Sequence, residues 1–406
     1  MSSQVVVTGI GIVSPNGFGV EDYWDATRAS RSGIGRITRF DPERYPSKLA
    51  GEVDGFTPAE HLPSRLIPQT DRMTQLALVG ADHALADAGV STQDADEYGM
   101  GVMTASSSGG FEFGQGQLQN LWSQGSQYVS AYQSFAWFYA VNTGQISIRH
   151  GLRGPSGVVV SDQAGGLDAL AHARRLVRKG SDLILSGGVD AAICPWGWVA
   201  QLTTGELSTD ERPDRAYLPF DADAAGYVPG EGGALLILED AEAARRRGAT
   251  QVYGEISGYG STFDPGPDSG REPTLRKAIE IALDDAGLSP GDIDVVFADA
   301  AATPELDRIE AATITEVFGP GAVPVTAPKT MTGRLGSGAA PLDVATALLA
   351  IRDGVIPPTA NVTLSPDYDL DLVTTPRHTP VTTALVLARG RGGFNSALVL
   401  RSVDWN

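Results

Sequence analysis

The stretch Val158-Val159-Val160-Ser161-Asp162-Gln163-Ala164-Gly165-Gly166 has the layout of a catalytic turn. Three β-branched residues predict a buried strand, the small residues after them a tight turn, and Leu167 to Val177 a helix. In α/β enzymes such a turn presents a nucleophile at a helix N-terminus, where free N–H groups and the helix dipole stabilise developing negative charge. Here the residue at the tip is Gln163. A carboxamide can donate a hydrogen bond to a thioester carbonyl or an enolate, but it is not a nucleophile. The single thiol, Cys194, follows a different predicted strand and reads as a small buried apolar side chain. One cysteine allows no internal disulfide and no cysteine-based metal site, and the five scattered histidines lack metal-ligand spacing. The chain therefore carries the seat of a nucleophile without the nucleophile.

The elements that would hold this turn recur along the chain. Val5 to Gly11 predicts a first strand, followed by a turn at Ser14-Pro15-Asn16-Gly17. Its Gly9-Ile10-Gly11 lacks the third glycine and the following helix of a dinucleotide site. Ser30 to Arg65 is turn-rich and predicts an irregular surface excursion. Asp71 to Ala88 has helical apolar spacing closed by Gly89, and Tyr98 to Thr104 reads as a buried strand. The aromatic run from Phe111 to Tyr139 predicts a packed helical subdomain or subunit interface, with a minority of rings lining an apolar pocket. Asp182–Asp190 and Ala234–Glu239 are further strands. The glycine-rich Gly226–Gly233 between them lacks the Gly-Lys-Ser/Thr ending of a phosphate loop and reads as a backbone turn. The second half then restates the first. Ala84-Leu85-Ala86-Asp87-Ala88-Gly89-Val90-Ser91 with Asp94-Ala95-Asp96 reappears as Ala282-Leu283-Asp284-Asp285-Ala286-Gly287-Leu288-Ser289 with Asp292-Ile293-Asp294. The helix after Gln163 has its counterpart in Leu342 to Gly354. A duplicated α/β fold follows, with halves at 1–245 and 246–406 and a site where they meet.

A net charge of −19 over 406 residues argues against nucleic acid and anionic membrane as partners. An acidic carrier protein would need a local basic patch. Arg174, Arg175, Arg178 and Lys179 form one, although pairing with a helix C-terminal dipole explains them as well. No apolar run approaches the roughly 18–20 residues of a membrane span, and no basic and apolar leader precedes the first strand, so the expected location is cytoplasmic.

Several long motifs in order resemble those of thiolase-fold β-ketoacyl synthases. They are Val7–Gly17, Pro219-Phe220-Asp221 with Gly226–Gly232, Lys329-Thr330-Met331-Thr332-Gly333, and Gly390-Arg391-Gly392-Gly393-Phe394-Asn395. Within that family the chain is similar, end to end, to the chain length factor (ketosynthase β) subunits of bacterial type II aromatic polyketide synthases. The resemblance implies a thiolase-like duplicated fold layered α-β-α-β-α. At the catalytic positions the sequence departs from the condensing pattern three times. Gln163 replaces the acyl-accepting Cys, Asp299 replaces the His of a His-Gly-Thr-Gly-Thr-Pro motif, and Arg334 replaces the His after the lysine motif. Lys329 is retained, and Arg391 stands where a phenylalanine usually gates the site. A thiolate accepts the acyl group and two imidazoles stabilise the enolate in condensation, so the combined loss implies a subunit without condensing activity of its own.

The resemblance further implies a heterodimer with a catalytic ketosynthase α subunit, with Asn142–Gly151 close to the interface. An amphipathic tunnel there would hold a growing polyketide chain, delivered on the phosphopantetheine arm of an acyl carrier protein, with no free cofactor and no metal. Its length-setting positions map to Phe111, Gly114, Leu118 and Phe135, and the modest size of Gly114 and Leu118 implies a long product. For Gln163 two roles are open. It could assist decarboxylation of malonyl carrier protein, or fill a vestigial pocket and bond local backbone while Arg334 and Asp299 pair and close that pocket.

Overall fold

The computed structural model describes residues 4–93 and 96–405. Val5 to Val13 carries no polar alternation, as expected of a strand covered on both faces, and β1 (Val5–Ser14) is buried along its whole length. The other elements that build the site follow in chain order. In the first half they are α1 (Arg72–Asp87), β2 (Met100–Ala105), α2 (Phe111–Gln124), α3 (Val141–His150), β3 (Ser156–Val159), α4 (Gly165–Arg178), β4 (Leu183–Asp190), α5 (Pro195–Leu202), β5 (Gly232–Asp240) and α6 (Ala241–Arg247). The second half contributes β6 (Gly254–Phe263), α7 (Leu275–Ala286), β7 (Val295–Phe297), α8 (Pro304–Phe318), β8 (Pro324–Thr326), α9 (Ala339–Asp353), β9 (Asp371–Leu372), β10 (Thr383–Gly390) and β11 (Phe394–Arg401).

The strands run in the order β9-β8-β7-β10-β11-β6-β1-β5-β4-β2-β3, with Gly17–Phe18 hairpinned onto β1. Outward from the centre, β1-β5-β4-β2-β3 and β6-β11-β10-β7-β8 have the same pairing pattern: two antiparallel contacts, then two parallel ones. Among the described residues the two halves of the sheet join through the ladder pairs Val6 with Glu255 and Val7 with Gly254. Helices α1 and α7 end alike, at Gly89 and Gly287, both in the left-handed region that a glycine adopts freely. The duplication seen in the sequence is thus a duplication of topology. Of the repeated residues, Asp94 and Ala95 lie outside the described set.

Side-chain alternation along the strands sets the layers. Leu183, Leu185, Leu235 and Ile237 pack outward against α1 and α3, whereas Ile184, Leu236 and Leu238 point inward. In the second half Leu385, Leu387 and Val399 pack on α7 and α8, while Val386, Leu398 and Leu400 point inward. Both inward faces close on the central pair α4 and α9. The result is helix, sheet, helix, sheet, helix. At the N-terminus of α4 a Cβ on Gly166 would lie 2.3 Å from Pro341 Cδ, so only glycine lets the two central helices approach there.

Four expectations need correction. The three valines before the catalytic turn do not form a buried strand: β3 is half-buried and Val160 is 49% exposed, because β3 ends the sheet with β2 as its one neighbour. Ser30 to Arg65 is not wholly irregular; Ile34–Arg36 pairs with Leu49–Gly51, and Ile37, Ala50 and Val53 enter the core. Tyr98 lies before β2 and is exposed. Arg174 is not part of a surface patch. It is buried and bonds Asp285 of α7 and the Ser257 carbonyl of β6, leaving Arg175, Arg178 and Lys179 exposed.

Candidate functional site

The turn between β3 and α4 keeps the strain of a nucleophile's seat. Asp162 adopts a φ of 51°, uncommon for a residue with a side chain. Its carboxylate accepts from Arg391 N at 2.9 Å, which draws the Gly390–Phe394 loop over the turn. Gly390 must be glycine for this approach, since a Cβ would lie 2.4 Å from the Ser161 carbonyl. Below the turn, Asp168 in the first turn of α4 accepts from Ser161 Oγ (2.5 Å), Tyr259 Oη (2.6 Å) and Ser396 Oγ. These bonds fasten the turn to β6 and β11 of the other half.

Gln163 is 7% exposed, and with its amide assigned so that the oxygen faces the guanidinium it accepts from Arg334 Nη2 (3.0 Å) and Nε. The expected bond to local backbone is therefore replaced by one to a side chain from the other half. Arg334 in turn grips Asp299, with Nη1 on Oδ2 and Nη2 on both carboxylate oxygens at 3.1 Å, and Nη1 on the Asp299 carbonyl at 2.9 Å. The salt bridge expected from the sequence is present, but it does not close the pocket. A cavity of about 470 Å3 remains, walled by Phe111, Gln163, Tyr227, Arg334 and Arg391 among others.

The glycine-rich loop before β5 seats Arg334. Arg334 N donates to Val228 O (2.9 Å), its carbonyl accepts from Gly230 N (2.8 Å), and its guanidinium lies 5.5 Å from the centre of the Tyr227 ring. On the other flank, residues 298–302 form a cramped loop in which Ala300 and Ala302 both have positive φ. Two carboxylates of α8 hold it. Glu310 accepts from Asp299 N (2.7 Å) and Ala300 N (2.8 Å), and Asp307 from Ala302 N (2.9 Å) and Phe220 N (2.8 Å). Lys329, the retained family residue, donates to the Ala298 and Asp299 carbonyls and pairs with Asp343 of α9 at 2.7 Å.

These contacts decide the charges. Burial pushes the Asp299 carboxyl upward, but Arg334 and Lys329 override it and hold the group below the usual carboxylate range. For Arg334 burial opposes the charge and Asp299 outweighs it, so the guanidinium stays charged. Glu310 is raised by burial and by the negative Asp299 beside it, and Asp307 is pushed up to about 7, chiefly by burial. The centre is a satisfied, neutralised charge cluster. It holds no thiolate and no imidazole, and both Gln163 and Asp299 have their acceptor oxygens committed to Arg334. Cys194 does not substitute: it is buried, its Sγ caps α5 by accepting from Gly197 N (3.4 Å), and burial pushes the thiol up to about 11.

The four length-setting candidates do not gather in one place. Phe111 lines the cavity and meets Trp196 edge to face with centroids 4.8 Å apart. Gly114, one turn on, is buried against the same ring, where a Cβ would stand 3.0 Å from Trp196 Cζ3. Leu118 is 41% exposed on α2, and Phe135 packs on Tyr132 and the outer core. Trp196 is the residue that sequence reasoning missed; its backbone N–H also donates to Gln115 Oε1 at 2.7 Å. Exposed apolar side chains flank these elements, among them Trp122, Tyr128, Ile148 and Val160. Among the described residues no group of His, Cys, Asp and Glu could hold a metal ion, and no helix is long and apolar enough to cross a membrane.

Residues 2–244 match the model of the beta-ketoacyl synthase N-terminal domain, and residues 253–363 that of its C-terminal domain. The chain belongs to the beta-ketoacyl synthase family. Within it the chain is 62% identical, over 98% of each sequence, to the tetracenomycin polyketide synthase ketoacyl synthase beta subunit of Streptomyces glaucescens. That likeness puts it in the ketosynthase β, or chain length factor, branch of the family. Among solved structures, the ishigamide ketosynthase/chain length factor superposes with a TM-score of 0.89 at 30% identity over the whole of both chains. A type II polyketide synthase acyl-carrier protein in complex with its ketosynthase bound to the hexaketide also matches over the whole of both chains, with a TM-score of 0.89 at 28% identity. Both neighbours share the layered, thiolase-like architecture of this β-ketoacyl synthase chain.

Proposed function

We propose that this chain is the non-condensing β subunit of a minimal type II polyketide synthase. It pairs with a catalytic ketosynthase α subunit that supplies the Cys and histidines, and it shapes the tunnel that sets poly-β-ketone length. The observation that carries this reading is the interlock of Gln163, Arg334 and Asp299. The three positions that condensation needs are not merely substituted but bonded to one another. The exposed rings and aliphatic side chains of α2, the segment after it, α3 and β3 suit burial against a partner, as large apolar patches do. A reactive polyketone held in such a contact is kept from water, and blocking side chains limit its extension. The chain arrives on the phosphopantetheine arm of an acyl carrier protein, with no free cofactor. The cytoplasmic location and the division into halves at 1–245 and 246–406 belong to the same proposal. A second reading, decarboxylation of malonyl carrier protein by Gln163, has in its favour that Gln163 forms part of the cavity wall.

Co-expression with a Cys-bearing ketosynthase tests the proposal. Native mass spectrometry should find a 1:1 complex, and Gly114→Ile, which drives bulk against Trp196 and Trp137, should shorten its product. A self-sufficient homodimer of this chain, active alone, would overturn it.

A further inference from the structure

The helix that carries Phe111, Gly114 and Leu118 starts without a cap of its own. Its N-cap position is Gly110, which has no side chain to bond the free N–H groups of the first turn. The missing acceptor comes from another element. Asp71, the N-cap of α1, accepts from Met73 N with Oδ1 at 2.8 Å and from Phe113 N of α2 with Oδ2 at 2.7 Å. One carboxylate therefore caps two helices. The approach depends on Gly110, where a Cβ would lie 2.9 Å from Asp71 Cβ and 2.3 Å from the Ala136 carbonyl.

We propose that Asp71 is a positioning residue for product length, fixing the start of α2 and hence the distance of Phe111 and Gly114 from Trp196. This rests on the length-setting reading given above. The rest of the molecule around Asp71 is arranged to the same end. Glu112, beside Phe113, is bonded by Arg39 at 2.5 Å, and Arg39 also faces Glu231 of the glycine-rich loop at 3.6 Å. Arg72, next to Asp71, holds Glu231 through three hydrogen bonds and the Val53 carbonyl through another. The loop that seats Arg334 and the helix that faces Trp196 are thereby tied through one set of charges. Burial raises the Asp71 carboxyl to about 7, while the backbone N–H groups of Phe113 and Met73 oppose the rise, Glu112 adds to it and Arg39 opposes it.

The test is the product-length distribution of Asp71→Ser in the complex with the ketosynthase, fed malonyl carrier protein and read by mass spectrometry. Serine is a strong N-cap for α1, but its single oxygen cannot serve both helices. The 1:1 complex should still form, while the ratio of full-length to truncated product falls about fivefold, the scale of one lost hydrogen bond of ~1 kcal/mol. Asp71→Asn, with one acceptor oxygen instead of two, should give the same direction if the serine variant fails to fold. Unchanged product lengths in the Asp71 variants alongside a shortened product from Gly114→Ile would sink the role of Asp71 and leave the length-setting reading intact. Unchanged lengths in all of them would remove both.

Discussion

Arg334 and Asp299 meet fork to fork, with guanidinium nitrogens on both carboxylate oxygens at 3.1 Å and neither side chain more than 6% exposed. A pair so far from water is held by mutual need. Each partner's charge is tolerable chiefly because the other is there, with Lys329 also supporting Asp299. The same guanidinium also binds Gln163, so the residue at the tip of the β3–α4 turn is the third member of the pair's own network.

Removing one partner should therefore cost far more than removing both. Asp299→Ala leaves a buried arginine without its counter-ion, and about 3–5 kcal/mol of stability should be lost. The double variant Asp299→Leu with Arg334→Met should recover part of this but not all, because Arg389 N also loses its acceptor. Urea denaturation of the purified chain measures both. A double variant no more stable than the single would contradict a mutually dependent pair.

Gln163→Ala tests whether the amide does chemistry. With the partner's Cys disabled, carbon dioxide release from malonyl carrier protein should be the same for wild type and variant, since Asp299 and Arg334 stand where the assisting imidazoles would be. Stability should fall by about 1–2 kcal/mol as Arg334 loses an acceptor. Loss of carbon dioxide release would instead favour the decarboxylase reading.

Asp307 should give the fold a distinctive pH dependence. Its folded carboxyl lies at about 7, against ~3.9 for an unfolded aspartate. Between those values the folded chain keeps a proton that the unfolded chain has released, so this contribution is full at acid pH and is lost as pH rises through 7. Asp307→Asn cannot ionise, and from about pH 5 to about pH 8 it should lose less stability than wild type, by on the order of 3 kcal/mol. Asp71 behaves alike in both proteins and cancels. Urea midpoints that move in parallel with pH would refute the assignment.

Cys194 should be inert in the native chain. At mildly alkaline pH a thiol raised to about 11 and buried carries almost no accessible thiolate. N-ethylmaleimide should label the chain in urea and leave it unlabelled when folded, as intact mass would record. Rapid labelling of the folded chain would show that the α5 cap opens.

Much of the architecture was readable because local signals and tertiary packing agree. The apolar spacing from Leu76 to Leu85, with Asp71 before it and Gly89 after, is a complete helix description, and α1 follows it. The duplicated helix end was visible because the same small residues are needed wherever a helix of this fold closes. Readings failed where tertiary context reversed a local cue. Val158 to Val160 has the composition of a core strand, yet its place at the sheet edge leaves it uncovered. Arg174 sits in a basic run that suggests a surface, although it stitches α4 to β6 and α7. In the site, the pairing of Asp299 with Arg334 was legible from the sequence. The clamp by Glu310 and Asp307 was not, since carboxylates on a helix give no sign of facing inward. Trp196 stands 82 positions from Gly114, and only folding brings its ring there.

The Gln163–Arg334–Asp299 network also bears on how such a subunit could change over generations. Restoring histidine at position 334 alone strands the Asp299 carboxylate in the interior, and restoring it at 299 alone strands the Arg334 cation. Cysteine at 163 alone regains a nucleophile with neither imidazole beside it. Every single step back toward a condensing enzyme thus passes through an unstable or idle protein. On the proposed non-condensing reading, the loss of catalysis is a ratchet, held by the folding energy of the chain as well as by the work of its partner.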